Sequence, residues 1–307
     1  MSDILLSAAA TAACLPYPAL ADELAALLTD SAVTVPPRLV QPLPGGASLF
    51  VMPANDATVA MTKLITFTPA NAGTGRPTIQ GDVVVFDIAT GTRRLVLDGP
   101  TVTAHRTAAV SLLAAQRLAP NTRGPLLVLG AGVQGRAHVE AFVAGLGVRE
   151  VWICSRSPAS AEALAAHART LGAQARVVDD AAAALPDCPL VVTATPASGV
   201  VLDARPREDA YIAAVGAFTP RMVELGPAMC RDLMACGTVV VDTRDAEHEA
   251  GDLLQAGVDI TALPSLAEIV RESRPRPAGP VLFKSCGWGG WDLAAARLAM
   301  LRVCAEA

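Results

Sequence analysis

From residue 125 onward the chain alternates short, wholly apolar runs with alanine-rich stretches whose apolar positions recur at helical spacing. The runs at 126–129, 151–153, 175–178, 190–193, 212–215 and 239–242 predict strands buried on both faces. Between them, residues 133–146, 159–171, 227–235 and 246–256 carry the periodicity of helices. Strands and helices in this alternation specify an α/β fold with a Rossmann-type, doubly wound parallel sheet.

Before residue 120 the pattern is mixed. Residues 19–28 predict a helix, and 49–52, 60–67 and 82–87 predict strands. A turn over 88–92 leads into 93–97 and makes a β-hairpin. Pro36-Pro37, Pro42, Pro44 and Gly45-Gly46 mark loops. A helix over 103–118 follows, with Ala104, Ala108, Leu112, Ala115 and Leu118 as its apolar positions and Thr103 as its N-cap. Pro120 and Gly124-Pro125 end it and mark a domain boundary. After Phe283 come a glycine-rich turn (Gly287, Gly289, Gly290) and a last helix over 292–302.

The junction after residue 129 carries the first chemistry. The apolar run ends in Gly130-Ala131-Gly132-Val133-Gln134-Gly135, a G-x-G-x-x-G element between strand and helix. Gly130 serves the tight turn, Gly132 lets the backbone approach a pyrophosphate, and Gly135 lets the helix pack on the sheet. The N–H groups at the helix start then face the phosphates. Ligands of such sheets lie beyond the carboxyl ends of the strands, which brings in Thr193, Ala194, Thr195, Val215, Gly216 and Ser285. The second strand ends in Cys154-Ser155-Arg156-Ser157, without the Asp or Glu that would hold a ribose 2′-hydroxyl. Arg156 can pair with a 2′-phosphate, and Ser155 and Ser157 offer hydroxyl donors. NADPH is the expected cofactor, with NADH open.

Bulk properties narrow the classes. A net charge of −5 gives no general basic field, which counts against a nucleic-acid partner. No stretch approaches the ~18 apolar residues of a membrane span. Seven cysteines, odd in number and without a C-x-x-C pair, suit reduced thiols in a cytoplasmic protein. Four histidines lack paired ligand spacing, so no metal site is expected. No G-x-S-x-G element suggests an esterase.

Several motifs together resemble one family. Val35-Pro36-Pro37-Arg38, Met61-Thr62-Lys63-Leu64, Thr103-Ala104-His105-Arg106-Thr107-Ala108-Ala109, the glycine motif and Phe283-Lys284-Ser285-Cys286-Gly287 occur in order over nearly the whole chain. The chain resembles the ornithine cyclodeaminase/mu-crystallin family, which includes cyclodeaminases, alanine dehydrogenases and cyclic ketimine reductases. The resemblance implies a homodimer. It also implies that residues 1–122 plus 288–307 form an α+β substrate-binding and dimerisation domain, into which a Rossmann domain, 123–287, is inserted. Arg38, Lys63 and Arg106 match positions that grip the substrate carboxylate and line the catalytic pocket.

The residues themselves fit those roles. Arg106 is expected in the first turn of its helix, where guanidinium and helix dipole together favour a carboxylate, with the Thr107 hydroxyl alongside. Lys63 lies in an apolar run, and a desolvated lysine has its pKa lowered towards a useful acid–base range. His105, where mu-crystallin-like members resemble a lysine, could relay a proton, given an unperturbed pKa of about 6.5. His138, His167 and His248 receive no catalytic role. Where the related cyclodeaminases and alanine dehydrogenases carry an aspartate, this chain has Phe218, an apolar wall. The resemblance then favours reduction of a cyclic imino acid, pyrroline-2-carboxylate or piperideine-2-carboxylate. Ornithine cyclodeamination, amino-acid dehydrogenation and non-catalytic cofactor binding stay open.

Overall fold

The computed structural model describes residues 4–71 and 73–306, and side chains as far as Val303. Two compact units emerge, one from the residues up to Arg106 together with those from Trp288 onward, the other from Thr107–Gly287. The division at 106/107 falls inside a continuous helix, not in the proline-glycine loop near 122. Such a loop records where a helix stops; it does not record which core each turn joins.

The first unit opens with β1 (Ile4–Leu5), α1 (Ala8–Cys14) and α2 (Tyr17–Thr29). Then come β2 (Leu39–Pro42), β3 (Ser48–Asn55), β4 (Val59–Phe67), β5 (Ile79–Asp87) and β6 (Arg93–Asp98). The six strands form one sheet in the order β1-β6-β5-β4-β3-β2, antiparallel except where β1 joins β6. The β5–β6 turn is held by Asp87, whose Oδ1 accepts from Thr90 N at 2.9 Å and from its hydroxyl at 2.8 Å. In β4 the strand period sends Val59, Met61, Lys63 and Ile65 to the buried face. Lys63 is thereby flanked by Met52 of β3 and Val83 of β5.

Helix α3 (Gly99–Leu118) starts one turn earlier than its apolar pattern suggests. Its cap is Asp98, not Thr103: the carboxylate accepts from Thr101 N at 2.9 Å and from the Thr101 hydroxyl at 2.5 Å. Arg106 therefore sits two turns in, beyond the reach of the helix-terminal dipole.

In the second unit follow β7 (Leu126–Leu129), α4 (Val133–Leu146), β8 (Glu150–Cys154), α5 (Pro158–Thr170), β9 (Gln174–Val177), α6 (Ala181–Ala184) and β10 (Leu190–Thr193). The chain continues through β11 (Ser198–Leu202), β12 (Tyr211–Ala214), β13 (Val223–Leu225), α7 (Pro227–Cys236), β14 (Thr238–Val241), α8 (Gly251–Gln255), α9 (Leu266–Arg271) and β15 (Val281–Lys284). Seven parallel strands stand in the order β14-β15-β12-β10-β7-β8-β9, while β11 and β13 pair separately. The strand order reverses at β7, which lies between β8 and β10. Two expectations need correction. The helix over 246–256 is a short 3-10 turn, Arg244–His248, followed by the brief α8. The strand β15 has no counterpart in the sequence reading, because its three apolar residues end in Lys284. Finally α10 (Gly289–Glu306) returns to the first unit, packing on α2 and across β3 and β4.

Candidate active site

The glycine turn of the second unit is built for a dinucleotide. Gly130 has φ +108°, and a Cβ there would strike the carbonyl oxygen of Ala194, just beyond β10. A Cβ on Gly135 would strike the carbonyl oxygen of Gly130, so α4 presses directly on the turn. Gly132 differs: a Cβ there would meet no protein atom within 4 Å. As the N-cap of α4 it supplies no side-chain cap, so the first N–H groups of a 14-residue helix open onto that free space. A pyrophosphate fits this arrangement, with a close backbone approach and donors at a positive helix end. Ala131 and Gln134 are half-buried beside it, and Val133 is 70% exposed.

Past β8, Arg156 is exposed. Ser157 caps α5 by accepting from Ser160 N at 3.2 Å, and Ser155 Oγ accepts from Ser157 N at 3.4 Å. Past β10 and β12 the strand-end residues have partners within the protein. The hydroxyls of Thr193 and Thr195 donate to the wholly buried Glu224, at 2.9 and 2.8 Å. The same carboxylate accepts from Thr195 N and Gly216 N, each at 2.7 Å, while Val215 N donates to Thr193 O. The hydroxyl of Ser285 likewise donates to Asp242 Oδ2 at 2.8 Å, which also takes the N–H groups of Cys286 and Gly287. These three hydroxyl protons are committed to protein carboxylates. A second buried pair, Lys284 on Asp252 at 2.7 Å, lies under the same strand ends. Burial alone would lower the Lys284 pKa, but Asp252, Cys286 and Glu224 outweigh it and hold it above the ordinary value. Sequence reasoning missed Glu224 and Asp252. The available signal was an acid inside an apolar run, Val223-Glu224-Leu225.

In the first unit, Lys63 and Arg106 meet on a residue the sequence reading passed over. Lys63 Nζ lies 2.8 Å from Asp292 Oδ2, and Arg106 Nε lies 3.3 Å from Oδ1. All three side chains are buried. Apart from these ion contacts, Arg106 Nε and both Asp292 oxygens have no hydrogen-bond partner among the described residues. Burial pushes the Lys63 ammonium down to about 8; Asp292 opposes the shift, and Arg106 and Arg38 add to it. Arg38 is half-buried, its guanidinium 6.0 Å from the Phe50 ring centroid. Asp292 stands in the first turn of α10, where the helix dipole favours a negative charge.

The remaining expected residues lie elsewhere. His105 does not join Lys63 and Arg106: its Nδ1 donates to Leu15 O at 3.0 Å, and its ring stacks on Tyr17 at 4.6 Å. Neighbouring helical residues point about 100° apart, which sends His105 to the start of α2 while Arg106 reaches Asp292. Thr107 is buried next along α3. Phe218 packs, partly exposed, against the core of the second unit. Among the described residues no cluster of three or more His, Cys, Asp or Glu could hold a metal, and no helix is long and apolar enough to cross a membrane. No disulfide joins Cys14, Cys154, Cys188, Cys230, Cys236 or Cys286, and the side chain of Cys304 lies outside the described residues.

The sequence model of the Ornithine cyclodeaminase/mu-crystallin family matches residues 12–305. The chain belongs to this family. Within it, Delta(1)-pyrroline-2-carboxylate reductase 1 of Burkholderia multivorans is 41% identical over 300 residues, covering 96% of this chain and 94% of that protein. The Delta(1)-pyrroline-2-carboxylate/Delta(1)-piperideine-2-carboxylate reductase of Azospirillum brasilense is 40% identical with the same coverage. Among solved structures, the Thermococcus litoralis Delta(1)-pyrroline-2-carboxylate reductase in complex with NADH and L-proline matches the fold with a TM-score of 0.86. Its identity is 23%, covering 100% of this chain and 98% of that one.

Proposed function

We propose that the chain reduces cyclic ketimine carboxylates with NAD(P)H, taking pyrroline-2-carboxylate to proline and piperideine-2-carboxylate to pipecolate. The observation that carries this reading is the buried Lys63 ammonium, lowered to about 8 beside the Arg106 guanidinium. The names of the relatives at 40–41% identity support it. So does Phe218, since expulsion of ammonia from a cationic primary amine calls for a carboxylate there.

When bound, the dinucleotide supplies the hydride that the imine carbon accepts. The chain's own residues do the rest. Asp292 takes Arg106 through Nε, which leaves the outer edge of the guanidinium fork to grip the substrate carboxylate bidentately. Arg38 adds a second cation. Lys63, mostly protonated at neutral pH, gives its Nζ proton to the imine nitrogen, and the resulting iminium accepts hydride readily. Lys63 then regains a proton from water. Atoms balance: imine, hydride and one proton make the secondary amine. His105 serves to fix α3 against Leu15 and Tyr17.

NADPH is the proposed preference, supported by Arg156 and by the lack of an acid after β8. A homodimer is proposed as well, supported by the exposed Leu39, Val40 and Leu64 of the first unit's sheet.

The test follows NADPH and NADH absorbance with pyrroline-2-carboxylate, piperideine-2-carboxylate, and pyruvate plus ammonia, beside an ornithine control. Oxidation of NADPH by the two cyclic imines is expected. Ammonia release from ornithine without net cofactor consumption would replace this reading with cyclodeamination. Cofactor binding without turnover of any substrate would replace it with storage.

A further inference from the structure

Of the chain's 24 basic Lys and Arg side chains, only Lys63 and Lys284 are lysines. Both are buried, and each rests on a buried aspartate. Every exposed Lys/Arg-type charge is an arginine, which keeps its proton at any working pH. Lysine differs in being able to give its proton up.

We propose that Asp292 is a positioning residue for the reduction, holding the Lys63 ammonium on one oxygen and the Arg106 guanidinium on the other. It keeps the lysine charged and aimed, and turns the outer amines of the arginine towards a substrate carboxylate. The inference rests on the reading given above and deepens it.

The argument is one of charge. The groups facing Lys63 are Arg106 from α3, Arg38 from the segment before β2, and Asp292 from α10. The flanking strands contribute Met52 and Val83, which carry no charge, and His105 is turned to Leu15 and Tyr17. Desolvation and two guanidinium groups all favour discharge of the lysine. Asp292 is the one carboxylate among these groups that opposes them, and its oxygens have no other partner. Remove its charge and three cations face one another, two of them buried. Only the lysine can relieve that repulsion, by losing its proton.

With Asp292 in place the four groups sum to two positive charges. A substrate carboxylate leaves one. Transfer of the Nζ proton to the imine nitrogen then moves that charge without creating a new one, which keeps the step inexpensive in a buried site. A carboxylate that merely stapled α10 to its neighbours would affect thermal stability and nothing else.

Two lysines make the test direct. Protein labelled with lysine carrying 13C at Cε has two side-chain resonances, assigned with Lys63→Arg. The wild-type Lys63 signal is expected to titrate near pH 8. In Asp292→Asn that midpoint should fall by at least about one pH unit with Lys284 unmoved, and the alkaline limb of kcat/KM should fall with it. Activity should then drop about fivefold or more at pH 8 and recover towards pH 6. Asp292→Glu should restore the limb. An unmoved Lys63 midpoint and limb in a folded Asp292→Asn protein would overturn the proposal. Should that variant not fold, wild-type protein labelled at the aspartate carboxyl carbons decides. The Asp292 signal must shift as Lys63 titrates, and silence through that range would overturn the proposal equally. Imine inactivity of the wild type together with a lowered Lys63 midpoint in Asp292→Asn would sink the proposed function and leave the charge role of Asp292 standing.

Discussion

Lys63 is a cation inside an apolar run, and Arg106 stands in a motif that resembles the family's, which is what makes them legible in the sequence. Asp292 is not legible in the same way. It opens a helix whose apolar positions read as packing, and nothing local links residues 63, 106 and 292. The Arg106 assignment predicts that Arg106→Ala lowers kcat/KM for the imine about 100-fold, from loss of a charge-assisted carboxylate grip. Dinucleotide affinity, read by fluorescence titration, should be unchanged. His138 gives a second prediction. Both ring nitrogens are used, with Gln134 O at 2.7 Å and Ser111 Oγ at 3.0 Å, and burial pushes its pKa down to about 4. Between pH 6.5 and 4 the unfolded chain binds a proton that the native chain refuses, so stability falls as pH falls through that window. His138→Gln should shrink the difference in urea stability between pH 7 and pH 4.5 by roughly 2 kcal/mol.

At the scale of elements, the three motif glycines have separable jobs. Gly130→Ala forces a side chain into a left-handed turn against Ala194 O and should cost about 2 kcal/mol or more of stability. Gly132→Val fills only open space, so thermal melting should show a folded protein while KM for the cofactor rises at least about tenfold. Equal loss of stability in both variants would refute that separation. At the end of β8, Arg156→Ala should raise KM for NADPH about tenfold and leave KM for NADH nearly unchanged. Strands with full apolar runs were read to the residue, as at Leu126–Leu129 and Leu190–Thr193. β15 was not, because its lysine is made tolerable only by Asp252, a long-range partner that no local window contains. The early start of α3 was missed for a related reason: Asp98 ends a strand and caps a helix at once.

For the whole molecule, the sequence carried the class of each unit and the glycine motif, since both follow from local periodicity and turn chemistry. The partners of the strand-end hydroxyls were beyond it. Thr193, Thr195 and Ser285 stand where a nucleotide would be expected to take their protons, yet Glu224 and Asp242 take them first. Those carboxylates tie the strand ends together, and the tie is visible only once the chain is folded. The same holds for the charge balance around Lys63, which is distributed over three distant stretches of sequence.

The most direct test of the central claim is a crystal structure of the protein with oxidised dinucleotide and L-proline. The account predicts the proline carboxylate on the outer amines of Arg106, with the ring nitrogen within hydrogen-bond reach of Lys63 Nζ. A proline whose carboxylate is held by other residues, with Lys63 bonded to Asp292 alone, would contradict it.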